Sequence, residues 1–227
     1  MKLFQSPVIF ISILGLLISC GAKPKNEGNE NTEISAVQDS DVRKVELVAP
    51  KDRAIAAFAE GCFWCSEHIF EAVIGVDSAV SGYAGGKTNN PTYERVNTET
   101  TGHAETVLVY YDPSVVSYEE LTKVFFTSHD PTTKNRQGPD VGSSYRSILF
   151  YMSPAELEIA TKSMKTFDDS GMFKNKIVSE IIPLKEFYRA EGYHQDYIEH
   201  NPGSPYVINV SIPRYELFKK MYKGKLK

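Results

Sequence analysis

The sequence predicts an α+β domain, a two-layer α/β sandwich with a ferredoxin-like core and long loops. Three observations carry this. Short apolar runs that read as strands are interspersed with helical patterns, yet no long train of strand–helix–strand units follows. Two connecting segments are long and rich in Gly, Pro and Asn. The 227 residues suffice for one good-sized domain plus a leader, with ordinary proportions of hydrophobic (41%) and charged (24%) residues.

The first strand is residues 54–59, apolar and stopped by Gly61. A helical spacing follows over 66–74, with Ile69, Phe70, Val73 and Ile74 on one side and Gly75 at its end. Residues 76–83 alternate as a strand does, and 82–93 form a loop. Residues 105–111 are a second clear strand, closed by Asp112-Pro113. Ser117 with Glu120 three residues on is a capping box, opening a helix with Leu121, Val124 and Phe125 on one face. A polar segment, 129–144, contains Pro131, Gly138, Pro139 and Gly142. Residues 147–151 read as a strand, Ser153-Pro154-Ala155-Glu156 as a helix start, and 177–182 as a strand. From Tyr193 a short helix and a Pro-rich tail are expected. No internal repeat is present.

Two segments precede the domain. Lys2 and the apolar run 8–18 form a signal-peptide pattern, within the roughly 7–15 residues of an apolar core and short of the about 20 that a membrane-spanning helix needs. The run ends in Leu17-Ile18-Ser19-Cys20-Gly21, which resembles the bacterial lipoprotein box, in which the cysteine receives lipid and becomes the new N-terminus. A plain secretion signal with a chance cysteine is the alternative. Residues 1–19 are therefore expected to be a lipoprotein signal peptide. Residues 20–52, rich in Asn, Glu, Lys, Asp and Ser, are expected to be a flexible tether. Residues 53–227 are expected to be the folded domain, on an exported, membrane-anchored lipoprotein facing the periplasm. The net charge of −4 gives no reason to expect nucleic acid as a partner.

Beyond Cys20 the only cysteines are Cys62 and Cys65, in Gly61-Cys62-Phe63-Trp64-Cys65 where a strand gives way to a helix. An exported domain held by disulfides would carry more, so this pair reads as reactive. Free N–H groups and the partial positive charge at a helix N-terminus favour a thiolate there. The chain's single Trp beside Cys62 suggests an apolar wall for a small substrate group. From these residues alone other readings stay open: half a zinc site (although no second cysteine pair exists), a thioredoxin-like exchanger (although Phe-Trp stands where Pro or Gly is usual), or a structural pair.

The rest of the chain adds an ordered set of motifs. After Gly61-Cys62-Phe63-Trp64 come Gly82-Tyr83-Ala84-Gly85-Gly86, Pro91-Thr92-Tyr93-Glu94 and Thr101-Gly102-His103-Ala104-Glu105. Then follow His129-Asp130-Pro131-Thr132, Asn135-Arg136-Gln137-Gly138, Tyr145-Arg146-Ser147 and Ala190-Glu191-Gly192-Tyr193-His194-Gln195. In this order and spacing the set resembles the peptide methionine sulfoxide reductase A family over residues 55–206.

The resemblance implies a mechanism. The cysteine matching Cys62 attacks the sulfoxide sulfur, and the carboxyl matching Glu105 supplies a proton to the oxygen, for which its pKa must be raised. Tyr93 and Tyr145 match phenols that hydrogen-bond the sulfoxide oxygen. Phe63 and Trp64 match the wall around the S-methyl group, and Asp140 a residue that helps bind substrate or its water. His103 and His194 are assigned structural or supporting roles, and Arg146 either a structural or a functional one. The products are methionine and a Cys62 sulfenic acid, condensed with a second thiol and recycled by a thioredoxin-type dithiol. Preference for the S epimer, repair of oxidised proteins, a monomeric chain and no cofactor or metal are implied as well.

The chain departs from the family in two places. Many relatives resolve the sulfenic acid with cysteines near the C-terminus, whereas this chain has none after Cys65, and Val207 stands where some relatives place one. Cys65 is thus the expected resolving thiol. Ser144 stands where relatives commonly carry Gln. Two other functions compete: an envelope disulfide oxidoreductase acting through Cys62 and Cys65, and a lipoprotein without enzymatic activity on a decayed scaffold.

Overall fold

Residues 42–227 are described by a computed structural model. Cys20, the leader and the first part of the tether lie outside these residues.

The elements run β1 (Arg43–Val45), β2 (Ala54–Glu60), α1 (Phe63–Glu71), β3 (Val76–Ala84), α2 (Tyr93–Val96), β4 (Ala104–Tyr111), α3 (Tyr118–Ser128), β5 (Arg136–Gln137), β6 (Asp140–Val141), β7 (Ser147–Tyr151), α4 (Pro154–Asp169), β8 (Glu180–Pro183), β9 (Phe187–Arg189), α5 (Tyr197–His200) and α6 (Ile212–Met221). Seven strands form one sheet in the order β1-β9-β3-β4-β2-β7-β8, and β5 pairs with β6 in a separate hairpin. Within the sheet only β7 and β8 run parallel. The architecture is α+β.

The central strand β2 shows why the sheet is buried on both sides. Its residues alternate, as side chains on a strand must. Ala56 and Phe58 join α1, α3, α4 and α6 in one apolar cluster. Ile55, Ala57 and Ala59 join Leu108, Ile148, Phe150 and Phe187 in another. Phe58 stacks on Phe70 of α1 with ring centroids 4.7 Å apart and meets Phe125 of α3 at 5.9 Å. Its ring therefore ties both helices to the sheet.

The second face is covered by irregular chain, and here the tether expectation is corrected. β1 pairs with β9, Arg43 opposite Arg189, and Val45, Leu47 and Ala49 pack on the second cluster. Residues 42–49 thus belong to the folded body, because among the described residues no helix packs on this face of the sheet.

Other boundaries move for local reasons. α1 begins at Phe63 and not at Ser66, since Cys62 is its N-cap and its carbonyl already accepts from Cys65 and Ser66 N–H groups at 3.2 and 3.3 Å. The strand expected at 177–182 starts at Glu180, because the Ile177 N–H donates to Asp168 Oδ1 at 3.0 Å. The polar segment 129–144 folds on itself through the β5–β6 hairpin, closed by Gly142 N–H to Asn135 O at 2.9 Å. The expected Pro-rich tail is helical: a π-helical turn (Val207–Ser211) runs straight into α6. Pro213 stands inside this continuous helix, where its missing N–H removes one ladder bond, and the π-helical turn lies immediately before it.

Candidate active site

β2 ends at Glu60, Gly61 turns the chain at φ +90°, and Cys62 caps α1. The turn admits no side chain: a Cβ on Gly61 would stand 2.5 Å from Gln137 Cβ of the β5–β6 hairpin. That contact brings the hairpin, and with it Asp140, over the cysteine. A cavity of about 300 Å³ opens there, lined by Cys62, Phe63, Trp64, Tyr93, Glu105, Asp140, Tyr145, Tyr197 and Tyr206. Seven of these were expected at the site from the sequence.

Glu105 comes from β4 and is 2% exposed. Its Oε2 accepts the Phe63 N–H at 3.0 Å. The free amide of the α1 N-terminus thus serves the carboxyl. Burial nevertheless pushes this carboxyl up to about 8, and the nearby Asp140 carboxylate adds to the rise. At neutral pH it holds a proton facing the cavity. For Cys62 the expectation of a thiolate favoured by the helix terminus is corrected. Burial, then the neighbouring Cys65 and the Glu105 carboxyl, push its thiol well up.

Two phenols flank the carboxyl, each fixed from behind. Tyr93 opens α2, which Thr92 caps. Its N–H donates to Glu191 Oε1 at 2.8 Å, while Glu191 Oε2 accepts from Tyr83 Oη at 2.9 Å. Tyr145 ends a 3-10 turn (Ser143–Tyr145) held by Glu99, which accepts from Ser144 N–H at 3.1 Å and from Ser144 Oγ at 2.8 Å. Ser144, the departure from the family pattern, is therefore a fully buried partner of Glu99 outside the cavity lining. Burial raises both phenols, so they remain hydrogen-bond donors.

The aromatic wall extends beyond Phe63 and Trp64. Tyr197 of α5 stacks on Trp64 at 3.7 Å with an interplanar angle of 8°. Tyr206 meets the same indole edge-on at 5.6 Å and donates its hydroxyl to Asp140 Oδ2. Neither Tyr197 nor Tyr206 was singled out in the sequence. The signal available was their position just after the Gly-Tyr-His-Gln motif, in a stretch expected to be a short helix and a Pro-rich tail.

The remaining motif residues hold the frame. His194 Nδ1 accepts from Trp64 Nε1 at 3.0 Å, and burial lowers this histidine to about 4, so it stays neutral and fixes the indole. His103 accepts from Gly86 N–H at 3.3 Å and bonds Thr88 O at 2.8 Å. Arg146 donates to Ser143 O at 2.8 Å and Gly102 O at 2.9 Å. Both pin loops around the site from outside the cavity lining.

Cys65 lies one helical turn beyond Cys62 and faces away from this cavity. It is free, as is Cys62, and its Sγ is 3.3 Å from Ser211 Oγ. It lines a second cavity of about 560 Å³, which shares only Asp140 and Tyr206 with the first. Contact with the Cys62 thiol, then the Arg214 guanidinium and the Ser211 hydroxyl, bring Cys65 down to about 6 against its burial.

A soft nucleophile, a protonated buried carboxyl and two phenols surround one small aromatic-walled cavity, with a second thiol behind. This fold and site fit a thiol-based oxidoreductase. The family profile described as peptide methionine sulfoxide reductase matches residues 54–226. The chain is 48% identical over 173 residues to peptide methionine sulfoxide reductase MsrA of Natronomonas pharaonis, covering 76% of this chain and 97% of that protein. It is 45% identical over 189 residues to MsrA 1 of Rhodopirellula baltica, covering 83% and 96% respectively. Among solved structures, Mxr1 from Saccharomyces cerevisiae in reduced form superposes with a TM-score of 0.66 at 37% identity, over 70% of this chain and 94% of that one. Methionine sulfoxide reductase A of Corynebacterium diphtheriae superposes with a TM-score of 0.61 at 35% identity, over 68% and 78%. The chain belongs to the peptide methionine sulfoxide reductase A family.

Proposed function

We propose that this enzyme reduces the S epimer of methionine sulfoxide, free or in proteins, through Cys62. The observation that supports this most directly is the convergence of Cys62, Glu105, Tyr93 and Tyr145 on one cavity. Phe63, Trp64 and Tyr197 give the S-methyl group an apolar seat, and the phenols and Asp140 receive the sulfoxide oxygen. Cys62 forms a bond to the substrate sulfur as Glu105 protonates the oxygen, and the Cys62 thiol proton passes to Glu105 to replace the one given. The oxygen ends on Cys62 as a sulfenic acid, and the thioether leaves as methionine. Cys65 then condenses with the sulfenic acid, water departs, and the resulting disulfide is reduced by a thioredoxin-type dithiol.

The finer features belong to the same proposal. The run β2-α1-β3-β4-α3-β7, with spatial order β3-β4-β2-β7 and antiparallel neighbours throughout, reads as a ferredoxin-like core. The leader and Cys20 are read as a lipoprotein anchor, with the tether reaching to residue 41 and the enzyme, a monomer, facing the periplasm. A membrane-delivered dithiol protein would then supply the electrons.

The test is turnover of each sulfoxide epimer of a blocked methionine, supplied separately with dithiothreitol. Reduction of the S epimer alone, lost in Cys62→Ser, is expected. No turnover of either epimer, with thiol–disulfide exchange intact, would replace this reading with that of a disulfide oxidoreductase.

A further inference from the structure

Behind Cys65 lies a buried charged cluster that the first half-reaction does not use. Arg214 enters from the first turn of α6. Its Nε donates to Ser128 O at the end of α3 at 2.8 Å, and its Nη2 to Glu60 Oε1 at the end of β2 at 2.8 Å. Ser128 Oγ also donates to Glu60 Oε2, at 2.7 Å. The guanidinium is thereby fixed by two elements. Its Nη1 is left beside Gly61, 3.8 Å from where a Cβ would stand there. Ser211, one turn before Arg214, accepts from the Cys65 thiol at 3.3 Å, and Arg214 lines the same cavity as that thiol.

We propose that Arg214 is a positioning residue for the second half-reaction, stabilising the Cys65 sulfur in the charged form that attacks the Cys62 sulfenic acid. This rests on the reading of Cys65 as the resolving thiol. Once Cys62 is a sulfenic acid, the thiol contact that also lowers Cys65 is gone, and the Ser211 hydroxyl beside it is neutral. Glu60 from β2, Glu105 from β4 and Asp140 from β6 are acids. Cys62 and the Tyr206 phenol are neutral when protonated. His129, packed behind Glu60, is brought down to about 3 by burial and by the guanidinium, and so carries no charge near neutrality. Arg214 is the one cation in this set among the described residues. Two of its donor groups are engaged by Glu60 and Ser128, and a guanidinium has five N–H donors to give.

The step balances. The Cys65 thiolate forms an S–S bond with Cys62 and the S–O bond breaks. The Cys65 sulfur is oxidised and the sulfenic sulfur reduced. The oxygen leaves as hydroxide and takes the proton of the Glu105 carboxyl to depart as water.

The experiment follows one turnover of the full chain by intact mass at a series of pH values, with S-methionine sulfoxide as the oxidant. It reads the conversion of the species carrying one added oxygen to the species lacking two hydrogens. In the native protein that conversion is expected to rise with pH as Cys65 ionises, with a midpoint below that of an ordinary thiol. In Arg214→Met the midpoint rises by about 1–2 pH units, the usual influence of an adjacent opposite charge. Arg214→Lys restores most of the lower midpoint, which a purely structural role would not require. Should Arg214→Met fail to fold, the pair E60Q/R214M leaves no buried carboxylate alone and carries the same expectation. An unchanged midpoint in these variants overturns the role of Arg214. A native protein that keeps the added oxygen and never loses two hydrogens overturns the reading of Cys65 itself, and the role of Arg214 with it.

Discussion

Glu105 meets two opposing demands. The Phe63 amide pulls its pKa down, whereas burial pushes it up, and burial prevails at about 8. The group is therefore an acid through the neutral range and loses that capacity above it. The rate of sulfoxide reduction should fall on the alkaline side of pH 8, with one deprotonation. Glu105→Gln keeps the shape and the Phe63 bond but has no acidic proton. It should lower kcat by about 10²–10⁴, the usual worth of a positioned general acid, and remove the alkaline fall, while iodoacetamide still alkylates Cys62. Full activity in this variant would reject the assignment. Glu105 could be found in the sequence because the Gly-His-Ala-Glu motif marks it. Tyr197, Tyr206 and Arg214 carried no such mark. A tyrosine or arginine in a stretch with Pro202, Pro205 and Pro213 reads as loop until the fold shows a helix turning those side chains inward.

The elements divide into those that hold the body together and those that aim the site. Ser117 caps α3 by accepting the Glu120 N–H at 3.1 Å, far from the cavity. Ser117→Ala should cost about 1 kcal/mol in urea unfolding and leave kcat/KM as it was. Gly61 is the contrary case. Its positive φ and the 2.5 Å approach of Gln137 mean that Gly61→Ala must shift the β5–β6 hairpin. Because that hairpin carries Asp140 and, through it, orients Tyr206, kcat/KM should drop together with stability. Equal activity in the two variants would show that the hairpin does not position the site. The same distinction explains what the sequence reveals of the fold. β2, β4 and α3 are long enough to show a period, and caps at Ser117 and Ser153 announce their helices. β1 and β9 have three residues each and no period to read. α6 is hidden by Pro213, a residue that ordinarily breaks a helix interior and here follows directly on the π-helical turn.

At the scale of the molecule, the buried ionisable groups set how stability depends on pH. Burial raises Glu60 to about 7, and Glu67 and Glu105 to about 8, from an ordinary 4.5. Between those values the folded state binds more protons than the unfolded chain, so these three groups make stability fall as pH rises. Burial lowers His129 to about 3 and His194 to about 4 from 6.5. There the unfolded chain binds more protons, so the two histidines make stability rise with pH up to 6.5. The carboxyls and histidines oppose each other between 4.5 and 6.5. Below 4.5 the histidines act without them, and above 6.5 the carboxyls prevail. Cys65, lowered to about 6 from 9.0, is the exception: it favours the folded state as pH rises from 6 to 9 and offsets part of that fall. The urea midpoint should therefore climb from pH 3.5, pass a maximum between about pH 4.5 and 5, and decline toward pH 8. In Cys65→Ser the offset is gone and the decline should steepen. A native midpoint at pH 8 equal to or above that at pH 5.5 would mean that the carboxyls are ionised in the folded protein. The same titration in Glu105→Gln isolates that carboxyl: an unchanged decline would mean that Glu105 is ionised in the fold and is not the proton donor. Stability and catalysis thus depend on the same buried proton, and the difference between the two titrations of unfolding tests the acid that the chemistry requires.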